Sequence, residues 1–131
     1  MTALTEVVKA ESLLASPDGY EVLVRIPWYR SLPLASLVEL EIELDGVTAD
    51  IAASVIHIDG REFTLTSLAE TWQEFWFVQD WARVTVPAAP VARGETHELR
   101  VRAAFSIPYI IVGPRTPLLN VVEETVTVTA Q

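Results

Sequence analysis

Cysteine is absent from the chain, and with it disulfide frameworks, thiolate metal sites and cysteine nucleophiles. That absence fits a reducing compartment. Glycine is scarce, at five residues, and no GxGxxG, Walker or GxSxG pattern occurs, which removes the usual phosphate cradles and the nucleophile elbow. Histidine occurs only at His57 and His97, with no carboxylate at ligand spacing. A zinc or iron site needs about three or four convergent ligands, so both read as strand histidines and no metal site is expected in this chain. No apolar stretch reaches the ~20 residues of a membrane span. Glu6, Lys9 and Glu11 interrupt any signal-peptide core near the N-terminus, so a soluble, cytoplasmic chain is expected. Positive charge is also short: 9 basic against 18 acidic residues give a net charge of −9. Such a surface repels phosphate backbones and argues against nucleic-acid binding. Lys9 is the only lysine; the other basic residues are arginines, which suit planar, forked contacts at interfaces better than lysine does and also accumulate in GC-rich genomes.

What remains is hydrophobic and strand-like. The 131 residues are half hydrophobic, enough for a single domain over 1–131 with its own core. Tyr20, Val22, Val24 and Ile26 alternate with Glu21, Leu23 and Arg25. Val38, Leu40, Ile42 and Leu44 alternate with Glu39, Glu41 and Glu43, predicting a half-exposed strand whose acidic face is solvated and discourages edge pairing. Val55 to Ile58 and Arg61 to Leu65 flank Asp59-Gly60, a hairpin signal repeated at Asp45-Gly46 and Asp18-Gly19. Further strands are expected up to Val86, from Thr96 to Ile107 and from Val121 to Thr129. A single short helix is predicted near residues 67–74, where Ser67 and Glu70 mimic a capping box, with one turn at 33–37. The fold class is therefore all-β: a sandwich of about eight mostly antiparallel strands.

No catalytic constellation is visible; catalytic and cofactor-binding residues are expected to be none. Two features exceed a plain sandwich. One is Ile26-Pro27-Trp28-Tyr29-Arg30-Ser31-Leu32-Pro33-Leu34, where proline is expected to stop a strand and display two aromatics and an arginine at the sandwich end. Ile107-Pro108-Tyr109 repeats the pattern and leads into Gly113-Pro114-Arg115-Thr116-Pro117. The other is Trp72, Phe75, Trp76, Phe77 and Trp81, readable as interface residues or, for some of the five, as a core plug.

These residues carry a resemblance. Val24-Arg25-Ile26-Pro27-Trp28-Tyr29-Arg30-Ser31-Leu32-Pro33-Leu34, then Leu44-Asp45-Gly46, then Ile58-Asp59-Gly60-Arg61-Glu62-Phe63-Thr64-Leu65 and Ala92-Arg93-Gly94-Glu95-Thr96-His97-Glu98-Leu99 resemble the small (β) subunit of bacterial C-glycoside deglycosidases. In place of the family's Tyr-Tyr-Arg-Gly the chain has Trp28-Tyr29-Arg30-Ser31. The resemblance implies a non-catalytic partner of a large, TIM-barrel-like subunit that holds a divalent metal, usually manganese. It implies a carbon–carbon lyase acting on 3-oxo-C-glycosides: the ketone is polarised, the adjacent proton removed and the aglycone carbon expelled. Trp28, Tyr29, Arg30, Tyr109 and Arg115 are the expected partner interface. A stand-alone sugar-binding module, stacking Trp28, Trp72 and Trp76 on pyranose rings, and a structural assembly domain are the alternatives.

Overall fold

The computed structural model describes residues 7–28 and 30–131. In chain order these form β1 (Leu13–Ser16), β2 (Gly19–Val24), β3 (Leu32–Pro33), a 3₁₀ turn (Leu34–Ser36), β4 (Leu37–Leu44), β5 (Val47–Thr48), a second 3₁₀ turn (Ile51–Ala53), β6 (Val55–Ile58), β7 (Arg61–Phe63), helix α1 (Leu65–Leu68), β8 (Phe75–Trp76), β9 (Ala82–Pro87), β10 (Thr96–Gly113) and β11 (Thr116–Thr129). Three sheets result, with strand orders β1-β2-β9-β6-β7, β11-β10-β4-β5 and β3-β8. The strand pairings are antiparallel, as expected.

Period-two alternation turns one face of each larger sheet inward. Val22 and Val24 of β2, Ile56 and Ile58 of β6 and Val84 and Val86 of β9 share one buried cluster with Leu40, Ile42 and Leu44 of β4 and Leu99, Val101, Ala103 and Phe105 of β10. The hairpins at Asp45-Gly46 and Asp59-Gly60 put both turn residues at positive φ (51° and 82°, 51° and 76°). That is the twist a two-residue hairpin needs. At the first Asp-Gly pair the structure differs. Ser16 pairs with Gly19, so Pro17-Asp18 is the turn and Gly19 begins β2. Glycine is required there because a Cβ would lie 2.0 Å from the Val86 carbonyl oxygen.

Four further departures matter for the site. Leu37, not Val38, faces the core, because Leu37 and Glu39 pair with the adjacent residues Phe105 and Ala104 and leave Val38 as a bulge. Helix α1 is one turn and starts upstream of the expected 67–74 span. Thr64, at the end of a hairpin strand, accepts the Ser67 N–H while the Ser67 hydroxyl accepts the Thr64 N–H, so the capping box is Thr64–Ser67 rather than Ser67–Glu70. Strand β2 ends at Val24, before Ile26-Pro27. Finally, Pro108 does not stop its strand. β10 runs on to Gly113, and Pro108 falls in the register shift between Ile107 and Ile111, where no ladder bond is required of it.

Candidate functional site

Pairing of β10 with β4 ends at Phe105, whereas its pairing with β11 continues to Gly113. The β10–β11 hairpin therefore leaves the sandwich as a two-stranded arm. Ile110 and Leu118 still pack against the core cluster, but toward the tip, without β4 alongside, Ile111 and Val112 are 59% and 62% exposed. Arg115 sits in the tip turn at φ 56°, beside a Thr116 hydroxyl that donates to the Pro114 carbonyl.

The 27–34 loop packs on the base of this arm. The Trp28 indole N–H donates to the Tyr109 hydroxyl at 2.5 Å, the Arg30 guanidinium lies 4.7 Å from the centre of the Tyr109 ring, and the Asn120 amide donates to the Pro27 carbonyl at 3.2 Å. Trp28, Arg30 and Tyr109 are thus brought together as one cluster, while Arg115 stands apart at the tip. Tyr29 lies outside the described residues.

The aromatic run divides. Trp76 is 1% exposed, tilted against Phe105 with ring centres 5.7 Å apart, and its indole N–H donates to the Asp80 carbonyl. It plugs the core. Trp81 is half-buried under the cations of Lys9 and Arg25. Trp72, Phe75 and Phe77 are 51%, 49% and 47% exposed. Phe75 and Phe77 face out because Trp76, between them, faces in. Of the three tryptophans a sugar-stacking module would use, only Trp72 is open: Trp76 is buried and Trp28 is engaged with Tyr109.

Near the start of β10, at the opposite end of the strand, is a different constellation that the sequence did not reveal. His97 Nδ1 lies 2.5 Å from Asp45 Oδ2, and its Nε2 lies 3.4 Å from Glu95 Oε1. Asp45 Oδ1 also accepts the Glu98 N–H at 2.8 Å. The hydrogen bond to Asp45 raises the imidazole pKa above its ordinary value, and the same bond from His97 lowers that of Asp45. Asp45 alone hydrogen-bonds the ring, at Nδ1; Nε2 is buried without a hydrogen-bond partner, and Glu95 Oε1 instead accepts the Ala92 N–H. Among the described residues no group of three or more His, Asp or Glu side chains is arranged to hold a metal. His57 hydrogen-bonds the Thr85 hydroxyl, which donates to Glu21, a structural chain across β6, β9 and β2. The signal for His97 was the Asp45-Gly46 turn itself: a hairpin closing β4 at Leu44, paired with Leu99, carries Asp45 across to residues 97 and 98.

On the outer face of β4–β10–β11 the glutamate row has partners. Arg100 bonds Glu43 on one side and Glu123 on the other, and Arg102 reaches Glu39 and Glu41. The hydrogen bonds between Arg100 and Glu123 raise the arginine pKa and lower that of the glutamate. The row is a ladder of satisfied cross-strand pairs, with nothing in it resembling a catalytic carboxylate pair.

Comparison with known proteins decides the assignment. The family model "C-glycoside deglycosidase beta subunit" matches residues 5–109. The chain belongs to the C-glycoside deglycosidase β-subunit family. It is 33% identical over 107 residues to a 3'-dehydrocarminate deglycosidase beta subunit of Microbacterium sp, covering 82% of this chain and 80% of that one. It is 37% identical over 92 residues to a C-glycoside deglycosidase beta subunit of Microbacterium trichothecenolyticum, covering 70% of each. Two beta subunits from Arthrobacter globiformis match at 28% and 30% over 75% and 80% of the chain. Within the β-subunit fold the matched span ends at Tyr109, so the outer part of the arm lies beyond it. No helix among the described residues is long and apolar enough to cross a membrane.

Proposed function

We propose that this chain is the non-catalytic small subunit of a C-glycoside deglycosidase complex, a carbon–carbon lyase of the cytoplasm. Its large, TIM-barrel-like partner takes a 3-oxo-C-glycoside, removes the proton next to the ketone and expels the aglycone carbon. Charge stabilisation at the ketone oxygen, and hence a divalent metal such as manganese, is assigned to the partner, because among the described residues of this chain no three His, Asp or Glu side chains are grouped to hold an ion. Enolisation needs a base of near-neutral pKa next to the substrate; His97 is 15% exposed, with Nδ1 taken by Asp45.

The observation that carries this reading is the Trp28–Arg30–Tyr109 cluster. A loop with a large aromatic and an arginine is pinned to the base of the arm by an indole hydrogen bond and a cation–π contact. A partner surface gains from such pre-ordered aromatic and arginine groups. Trp28, Tyr29, Arg30, Tyr109 and Arg115 are the proposed contacts.

The test is reconstitution. The isolated chain is expected to leave a 3-oxo-C-glycoside intact and to lose added manganese on dialysis, and the complex with the large subunit is expected to cleave it. Cleavage by the chain alone, or stoichiometric manganese held by it at sub-micromolar affinity, overturns the assignment.

A further inference from the structure

We propose that the whole arm-bearing end of the sandwich is one docking surface for the large subunit, with Trp72, Phe75 and Phe77 at its apolar centre and the arm tip at its rim. The inference rests on the reading of the chain as a β subunit. It extends that reading to residues outside the Trp28 cluster.

Single exposed apolar side chains are ordinary, but neighbouring large ones mark contact sites. Phe75 and Phe77 line one groove, with exposed Trp72 three residues before Phe75 in the chain, and Ile111 and Val112 are exposed neighbours on the arm. The segment bearing the aromatics is tied down along its length. The Leu34 and Ala35 N–H groups donate to the Glu74 and Thr71 carbonyls, and the Val78 N–H donates to the Ser31 hydroxyl at 2.9 Å. Two of these bonds, at Ser31 and Leu34, run to the same 27–34 loop that grips Tyr109, so the loop joins both apolar groups. With the aromatics already fixed, association need not order them. Beside Phe75 and Phe77 a groove of about 290 Å³, with Leu34, Ile58, Asp59 and the paired Arg61 and Glu74 also in its lining, is open to a partner side chain. Fully desolvated anchors in such pockets dominate interface energetics.

Charge identifies the occupant's chemistry. Arg61, Arg83, Arg100 and Arg102 each have a carboxylate partner. Among the described residues Arg30 and Arg115, both exposed on this end, have none. In a chain of net charge −9 these two are uncompensated cations flanking an apolar surface. The complementary surface is therefore apolar with carboxylates placed for bidentate arginine contacts.

The experiment uses the full chain and the purified large subunit. Two variants probe the new residues, Phe75→Ser with Phe77→Ser and Ile111→Ser with Val112→Ser, and Glu41→Gln on the outer face is the control. Affinity for the large subunit is titrated, and the free chain's melting temperature is recorded. Each double variant should lose about tenfold or more in affinity with a nearly unchanged melting temperature, and the control should bind as the unaltered chain does. Failure of the unaltered chain to bind overturns the β-subunit reading and the inference with it. Binding by the unaltered chain that both double variants retain in full overturns the inference alone. So does a concentration-dependent self-dimer that the variants abolish while binding to the large subunit persists.

Discussion

Along β10 two stretches of the same strand meet solvent in opposite ways. At Arg100 and Arg102 the outward side chains are bracketed by Glu39, Glu41 and Glu43 of β4 and Glu123 of β11, so the charges are answered within the chain. Past Phe105, where β4 leaves, the strand turns apolar and becomes exposed at Ile111 and Val112. The first stretch is self-sufficient. The second leaves apolar area uncovered, which soluble chains do at contact sites. The ladder therefore reports on folding and the arm on assembly, and substitutions should separate them.

The largest expected effect removes the support common to both. Trp76→Ala empties the core beneath Phe105 and should cost about 3–5 kcal/mol, enough to leave the isolated chain largely unfolded by urea titration. Arg30→Ala follows. Loss of an interface arginine should weaken assembly by about 2 kcal/mol, roughly thirtyfold, while the exposed cation–π contact to Tyr109 contributes about 0.5–1 kcal/mol to the free chain. A melting temperature several degrees lower with normal assembly would make the 27–34 loop a structural corner. Arg100→Ala should show the reverse pattern. It leaves Glu43 and Glu123 unanswered, lowering the melting temperature slightly in low salt and less in high salt, with unchanged binding to the large subunit.

The smallest effect is at the other end of the strand. His97, with its folded pKa raised above 6.5, adds stability that is present below that value and is lost as pH rises through the raised one. Asp45, lowered from 3.8, adds stability present above that value and lost as pH falls through the lowered one. Asp45→Asn should therefore depress the melting temperature most between about pH 4 and 6.5 and less at pH 8. A uniform depression across that range would show that the turn geometry, not the ion pair, is what Asn disturbs.

Strands β2, β4, β6, β7, β9, β10 and β11, the Asp45-Gly46 and Asp59-Gly60 hairpins and the 3₁₀ turn inside 33–37 were legible because each follows from local alternation or turn chemistry. The short strands β1, β3, β5 and β8 were not legible. Where the sequence misled, the deciding partner was distant. Val38 fits the inward parity until the bulge opposite Ala104 and Phe105 shifts it. Pro108 reads as a stop unless the register shift that absorbs it is known. Asp45 and His97 are 52 positions apart and meet only because of the β4–β10 register. Of the proposed interface, Trp28, Arg30 and Tyr109 could be named from proline-bounded aromatic motifs. Their mutual contact could not, nor could the split between buried Trp76 and exposed Phe75 and Phe77, since one residue's parity in a two-residue strand decides it.

Hydrogen–deuterium exchange of the chain, alone and bound to the large subunit, tests the contrast most directly. The account predicts that binding slows exchange in residues 72–78 and 107–118 and leaves the ladder segments 99–103 and 123–127 unchanged. Slowed exchange across the ladder or around Asp45 and His97, with the arm unaffected, would contradict it.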